Sequence, residues 1–377
     1  MAFNKYENLA DPGSKGGILD TIMESEHAHA LADFNPETLV LDLVALLRER
    51  EREIILLRYG LSQNKAHTLE AIGSQMSLTR ERVRQVEKES LRKLREAQIS
   101  ENLKNSLIII KKAIEDHGGI FAEKALIDHV LIAEQTERRV NALLFLLELF
   151  DEFFHAPETE RYYGSWHIAD FDHNRLHSFH DTVTKHLEAN PEPMTLEQLK
   201  GAFRETEIYG QHKDYFTDKV IENLLRVSKH VESNPFGHYG LASWRVIRPR
   251  DVGDKAYLVL KHYGKPEHYV KITERINQHR FDDRMAYKET VHNELIMDPR
   301  FVLVGRGIYA LTEWGYRKGV VSDVIREILE EAAQPLSRQK IIDEVMKRRL
   351  VKRNTVLVGL SNRKYFRKVG KDLYGIA

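Results

Sequence analysis

After residue 100 a tyrosine recurs at positions 163, 239, 309 and 374, at intervals of 76, 70 and 65 residues. Each lies in a short aromatic segment that closes a run of amphipathic helices. Intervals this long mark duplication of a whole small domain, because stacked solenoid repeats span about 20 to 50 residues. The clearest unit opens with a helix over Lys255–Tyr263, turning Ala256, Leu258, Val259 and Leu260 inward, and breaks at Gly264-Lys265-Pro266. Tyr269–Ile276 follows as a short strand or a second helix, and Thr290–Leu295 as a third helix. Strand Phe301–Val304, turn Gly305-Arg306-Gly307 and strand Ile308–Leu311 complete it. The last unit repeats this order: helix Val324–Ala333, a break at Gln334-Pro335, helix Arg338–Arg348 capped by Ser337, then Thr355–Leu360 and two strands around Tyr365–Val369 and Leu373–Ile376. The two earlier units close at Tyr162-Tyr163-Gly164 and Tyr239-Gly240-Leu241. Three helices followed by a two-stranded wing make a winged helix. The expected fold class is therefore mainly α with small β wings, with Tyr309 and Tyr374 as core residues closing the wing over the helices.

The segment before residue 100 has a different pattern. Asn35-Pro36 suits a helix start, and Leu39, Val40, Leu43, Leu46 and Leu47 recur at steps of three and four. A second helix over Glu51–Leu57 stops near Gly60. Thr68 caps a short helix with Leu69 and Ile72 inward, and Gly73 lies where two helices approach closely. Ser77-Leu78-Thr79 forms a turn with Leu78 as its apolar plug. Thr79 caps a further helix that turns Val83 and Val86 inward and Arg80, Arg82, Arg84, Gln85 and Lys88 outward. This is a helix-turn-helix with a basic second helix, the layout that places a helix in the major groove. Arginine and glutamine can read base edges there with paired hydrogen bonds, whereas Arg92, Lys93 and Arg95 are placed for phosphate contacts or surface salt links. A surface helix in a protein-binding bundle is the alternative reading of the same pattern.

Leu47–Glu53, Leu57-Arg58-Tyr59-Gly60-Leu61, Thr68–Val86 and Leu91–Arg95 together resemble region 4 of the sigma-70 family in order and spacing. The resemblance implies a module that recognises the −35 promoter element and docks on the flap of the polymerase beta subunit. It also implies that Arg80, Glu81, Arg82, Arg84, Gln85 and Lys88 carry the DNA contacts, with Glu81 suited to accept from a cytosine amine. About 35 residues precede the module, without an aromatic-rich helix to capture flipped bases, so a complete promoter-opening sigma factor is not expected. Asp298–Tyr316 resembles the wing of HARE-type winged helices, a group that includes the folded domain of the RNA polymerase delta subunit. That resemblance spans Val252–Tyr316 and, in part, the last unit. The implied organisation is an N-terminal tail over 1–33, a helix-turn-helix over 34–100, and winged helices over 101–168, 175–245, 252–316 and 321–377.

Charge decides where nucleic acid would touch. Over the whole chain 57 basic residues balance 57 acidic ones, but the balance is local. Residues 41–100 hold 12 basic and 9 acidic side chains, residues 101–170 hold 7 and 13, and residues 321–377 hold 13 and 7. A footprint is therefore expected at the two ends. In the last unit Lys347, Arg348, Arg349, Lys352 and Arg353, then Arg363, Lys364, Arg367 and Lys368, form the strongest basic patch. Arg348, Arg349, Lys352 and Arg353 are its expected DNA-binding residues, with a solvated face or interdomain salt links as the alternative. In the first winged unit Glu134, Glu137, Glu148, Asp151, Glu152, Glu158 and Glu160 would repel a phosphate backbone.

The chain has no cysteine, which removes disulfides and thiolate chemistry. No phosphate-binding glycine loop, zincin motif or nucleophile elbow occurs. His27 with His29, His177 with His180, and Glu152 with His155 lack a convincing third group, so no catalytic residue, metal or cofactor is expected. Neither a membrane span nor a secretory signal is expected, which makes the cytoplasm, and the nucleoid within it, the default location. The expected function is non-catalytic: a DNA-binding transcription factor or polymerase-associated regulator whose partners are double-stranded DNA and RNA polymerase. The alternatives are a protein-interaction scaffold docking on polymerase and an architectural or nucleic-acid-defence component.

Overall fold

A computed structural model describes residues 34–377 apart from 63–64, 133, 317–318 and 350. The tail assigned to 1–33, with His27 and His29, lies outside the described residues. The chain divides into two compact units, one running to Lys185 and taking in Lys200–His230, the other made of His186–Leu199 and Val231–Ala377.

The first helices form where cap and apolar spacing coincide. In α1 (Pro36–Val44) the Asn35 side chain accepts from the Thr38 amide, and Leu39, Val40, Leu43 and Val44 are buried. Its last carbonyls have no partner within the helix, and the Arg52 guanidinium on α2 (Glu49–Arg58) donates to Val44, Ala45 and Leu47 at 3.0 to 3.2 Å. Gly60 follows with φ +64°, a conformation that costs a side-chain-bearing residue free energy. Then come α3 (Leu69–Met76) and α4 (Arg80–Glu96), held on α2 by a small core of Ile54, Leu57, Ile72 and Val83.

The rest of the chain repeats one winged-helix order four times. The first copy is α5 (Glu101–Asp116), β1 (Ile120–Ala122), α6 (Glu123–Val130), α7 (Glu137–Leu149), β2 (Phe153–Ala156) and β3 (Ser165–Ile168). The second is α8 (His173–Ala189), β4 (Met194–Thr195), α9 (Leu196–Arg204), the additional α10 (Glu207–Gln211), α11 (Asp218–Val227), β5 (Val231–Ser233) and β6 (His238–Leu241). The third is α12 (Val252–Tyr263), β7 (Glu267–His268), α13 (Tyr269–His279), α14 (Lys288–Met297), β8 (Phe301–Gly305) and β9 (Ile308–Leu311). The fourth is α15 (Val321–Ala332), β10 (Leu336–Ser337), α16 (Arg338–Arg348), α17 (Arg353–Leu360), β11 (Phe366–Lys368) and β12 (Leu373–Ile376). All four sheets are antiparallel with the same order, β1-β3-β2, β4-β6-β5, β7-β9-β8 and β10-β12-β11. The fold is a helix-turn-helix followed by repeated winged helices, mainly α with small β wings.

Two expectations are corrected and one alternative is resolved. The wing is three-stranded, because a strand of two or three residues before the second helix pairs with the last strand; it is too short to show alternation in the sequence. Tyr269–Ile276 is helix, since Ile272, Thr273 and Ile276 are buried at helical spacing. The anchor in the first copy is Trp166, not Tyr163. Register places Tyr239 opposite Met194, Tyr309 opposite Glu267 and Tyr374 opposite Leu336, each one residue before the end of the first strand. The corresponding pair in the first copy is Trp166 opposite Phe121. Trp166 is buried and Tyr163 is exposed, while Tyr309 is buried and Tyr374 only half-buried.

In the first unit one core runs from Phe34 and α1 through Leu94 to Phe145 and Trp166, so the helix-turn-helix segment and the first winged helix share an interior. α1 packs on α7, burying Ala142, Leu143, Phe145, Leu146, Leu147 and Leu149. α11 packs on β1, with Asn223 donating to the His117 carbonyl at 2.8 Å and to the Ile120 carbonyl. The third helices of these two copies are therefore packing elements. In the second unit α14 buries Val291 and Leu295, and α17 buries Val356 and Leu360.

Candidate nucleic-acid interface

The α3–α4 turn is defined by its backbone chemistry. Thr68 Oγ1 accepts from the Ala71 amide at 3.2 Å and Thr79 Oγ1 from the Arg82 amide at 3.2 Å, satisfying one orphan donor at each helix start. Ser77 closes α3 in the left-handed region at φ 55°, and the Leu78 amide donates to the Gly73 carbonyl at 2.8 Å. Leu78 packs on the Ile54, Leu57, Ile72, Val83 core, as expected of a plug. The close approach at Gly73 is to this turn: a Cβ there would lie 2.7 Å from the Leu78 carbonyl oxygen. Gly73→Val is accordingly expected to disrupt the helix-turn-helix, with an overpacking cost of about 1 to 3 kcal/mol or more. Limited proteolysis should show new cleavage between α3 and α4; unchanged protection would contradict the geometry.

α4 buries Val83, Ser90 and Leu94 and presents its first half to solvent. Arg80, Glu81, Arg82, Arg84, Gln85 and Lys88 are all exposed. Arg84 donates twice to the Glu81 carboxylate, at 2.9 and 2.7 Å, and Gln85 donates to it at 3.5 Å. Arg82 donates to the Gln85 side-chain amide oxygen at 3.4 Å. The Arg84 hydrogen bond holds the Glu81 carboxyl below the usual carboxylate range and raises the Arg84 guanidinium. An ion pair this exposed costs little to open, so it aligns the two side chains without locking them. Arg80 and Lys88 make no side-chain hydrogen bond or ion pair among the described residues.

The later cations on α4 are employed internally. Arg92 pairs with Glu89 and Glu96 at 2.7 and 2.8 Å, and Lys93 with Glu51 at 2.6 Å. Arg95 donates to the Leu149 carbonyl at 2.8 Å, at the end of α7. Of the two roles open to these three residues, salt links and helix docking describe their contacts. The open face of α4 is thus Arg80 to Lys88.

The last unit separates its four expected residues. Lys352 and Arg353 are exposed at the start of α17. Arg348 is tied to Glu331 at 2.8 Å. Arg349 is 6% exposed and donates to the Leu303 carbonyl at 2.7 Å and to the Gly319 carbonyl, so it is withdrawn from any phosphate contact. Its neighbours in the basic run give no hint of this, because the chain turns inward only after α16 ends. Arg349→Ala is expected to cost about 1 to 3 kcal/mol through loss of its two charge-assisted hydrogen bonds to the Leu303 and Gly319 carbonyls. Thermal unfolding checks this; an unchanged midpoint would contradict the buried role.

Among the described residues, the side chains weighed as catalytic pairs face other partners. His155 lies 3.4 Å from Glu123, whereas Glu152 is 3.9 Å from Lys111. His177 bonds the Tyr162 hydroxyl at 2.8 Å, while His180 is buried beside Phe179 and Tyr162. Among the described residues no group of three or more His, Asp or Glu side chains is placed to hold a metal ion, and no helix is long and apolar enough to cross a membrane.

Fold and exposed face together define a helix-turn-helix with a solvent-facing basic helix. Residues 43–96 match the model of the family described as "Sigma-70, region 4". The chain is 43% identical over 123 residues to the RNA polymerase sigma factor SigA of Clostridium acetobutylicum, covering 28% of this chain and 32% of that protein. It is 36% identical over 90 residues to the RNA polymerase sigma factor RpoS of Coxiella burnetii, covering 23% of this chain and 25% of that protein. The chain thus spans about a quarter to a third of the length of these curated relatives.

Proposed function

We propose that this chain is a non-catalytic transcription regulator that reads duplex DNA through α4 and associates with RNA polymerase. The observation that carries the reading is the open Arg80–Lys88 face, presented by a capped left-handed turn inside a segment matching sigma-70 region 4. Arg84 and Gln85 read base edges, Glu81 accepts from a cytosine amine, and Arg80, Arg82 and Lys88 hold the phosphates that fix the helix in the groove. The target is a duplex of the promoter −35 kind. In this reading 34–100 is the DNA module and 101–168, 175–245, 252–316 and 321–377 are the winged helices, the third being of the HARE type. Burial of α7 and α11 supports a scaffolding role for the first two.

Fluorescence anisotropy of the full chain on a −35-element duplex and on a scrambled duplex of equal length tests the reading. A preference of at least about tenfold, the discrimination of one good bidentate contact, is expected. Equal affinity would leave polymerase docking as the function to pursue.

A further inference from the structure

We propose that the fourth winged helix is a second nucleic-acid site, a sequence-independent grip on the phosphate backbone of duplex DNA formed by Lys352, Arg353, Arg363, Lys364, Arg367 and Lys368. The ion pairs of this unit divide most of its cations into two sets; Lys340 on α16 and Lys371 in the β11–β12 turn are also exposed without an ion pair among the described residues. Arg326 is held by Asp323, Arg338 by Asp372, Lys347 by Glu344 and Arg348 by Glu331, while Arg349 is buried on carbonyls. The six named residues are exposed and make no ion pair among the described residues. They lie at the start of α17, in the turn after it, and on β11, the third helix and wing of the copy. Positive charge left without a carboxylate is the footprint of a polyanion partner.

Two features select a duplex backbone among polyanions. Proteins that hold single strands stack bases on exposed aromatic rings. Here Phe366 is buried, and Tyr365 and Tyr374 are half-buried against the Val324, Ile325, Ile341, Val345 core, so no ring of this unit is fully exposed for stacking among the described residues. Base reading needs polar groups along a helix face. After Arg353, Asn354 and Thr355 the outward position on α17 is Val358, 71% exposed. The unit therefore offers charge with little means of reading sequence. This site is independent of α4, and its equivalents in the first two copies are closed to DNA because α7 and α11 are covered.

The test uses the full chain and a random-sequence duplex in a salt titration. Lys352→Gln, Arg353→Gln, Arg363→Gln, Lys364→Gln, Arg367→Gln and Lys368→Gln combined should flatten the slope of log affinity against log salt by about 0.9 for each phosphate no longer neutralised, roughly 5 overall. Lys352→Gln with Arg353→Gln, a milder change if the sixfold variant fails to fold, should flatten it by roughly 2. Exchanging lysine for arginine and arginine for lysine at the six positions should leave it unchanged. An unchanged slope in a folded charge-neutral variant overturns the proposal. So does tighter binding by the wild-type chain of a polyglutamate peptide, or of a single-stranded oligonucleotide, than of the duplex at matched charge and salt. A chain without sequence preference that still loses duplex binding in these variants upholds the grip while contradicting recognition by α4.

Discussion

Arg84→Ala together with Gln85→Ala is expected to remove the preference for a −35-type duplex while leaving the chain folded. Each good bidentate base contact discriminates by about 1 to 3 kcal/mol, so removing both should lower specific affinity by about 2 to 6 kcal/mol if the two act independently. Both side chains are exposed on α4 and contribute nothing to the Val83, Ile72, Ile54 core beneath, so unfolding should be little changed. The double variant also frees Glu81 from Arg84. A lone carboxylate facing phosphates adds repulsion, so Glu81→Gln in the same background should recover part of the non-specific affinity. Anisotropy on matched and scrambled duplexes separates the effects. Retained preference in the folded double variant would show that another surface reads the sequence.

The second large effect is on acid stability. His180 on α8 is buried among Phe179 and Tyr162, and burial, aided by the charge of Arg161 and by His177, pushes its pKa down to about 3; Asp181 acts weakly the other way. In the unfolded chain the ring titrates near 6.5. The folded state therefore holds it neutral where the unfolded state protonates it. The stability attached to this group is fully present above about pH 6.5 and is lost as pH falls towards 3. At its limit the loss is on the order of 4 to 5 kcal/mol. His117, His129, His173, His262 and His279 are also lowered by burial, so the whole chain should weaken in the same direction. His180→Phe keeps a ring in place and removes the titration. Its denaturation midpoint should fall less steeply than that of the wild type between pH 6.5 and 4; parallel curves would contradict the buried neutral histidine.

Local features carried most of what the sequence revealed. Asn35, Thr68, Thr79 and Ser337 mark helix starts because a cap is a bond within three residues, and each accepts the expected amide. The outward face of α4 followed from Val83 and Val86 at helical spacing. What was hidden depends on distant partners. Trp166 occupies the anchor position because β1 pairs there, and nothing beside Tyr163 in the sequence announces that register. The packing of α1 on α7 joins residues about 100 positions apart, so the charge and motif boundary near residue 100 is not a boundary of the core. Arg349 differs from Lys352 only in what lies opposite it, the Leu303 and Gly319 carbonyls. Arg338 and Arg348 are likewise engaged by distant carboxylates, Asp372 and Glu331, whereas Arg326–Asp323 and Lys347–Glu344 are local pairs three residues apart.

Whether α4 reads sequence in duplex DNA is tested most directly by selection of genomic fragments with the purified full chain, sequenced after capture at two salt concentrations. One enriched motif resembling a −35 element is expected at both salts, with non-specific background falling steeply at the higher salt as phosphate contacts weaken. Capture without any enriched motif at either salt would contradict recognition by α4.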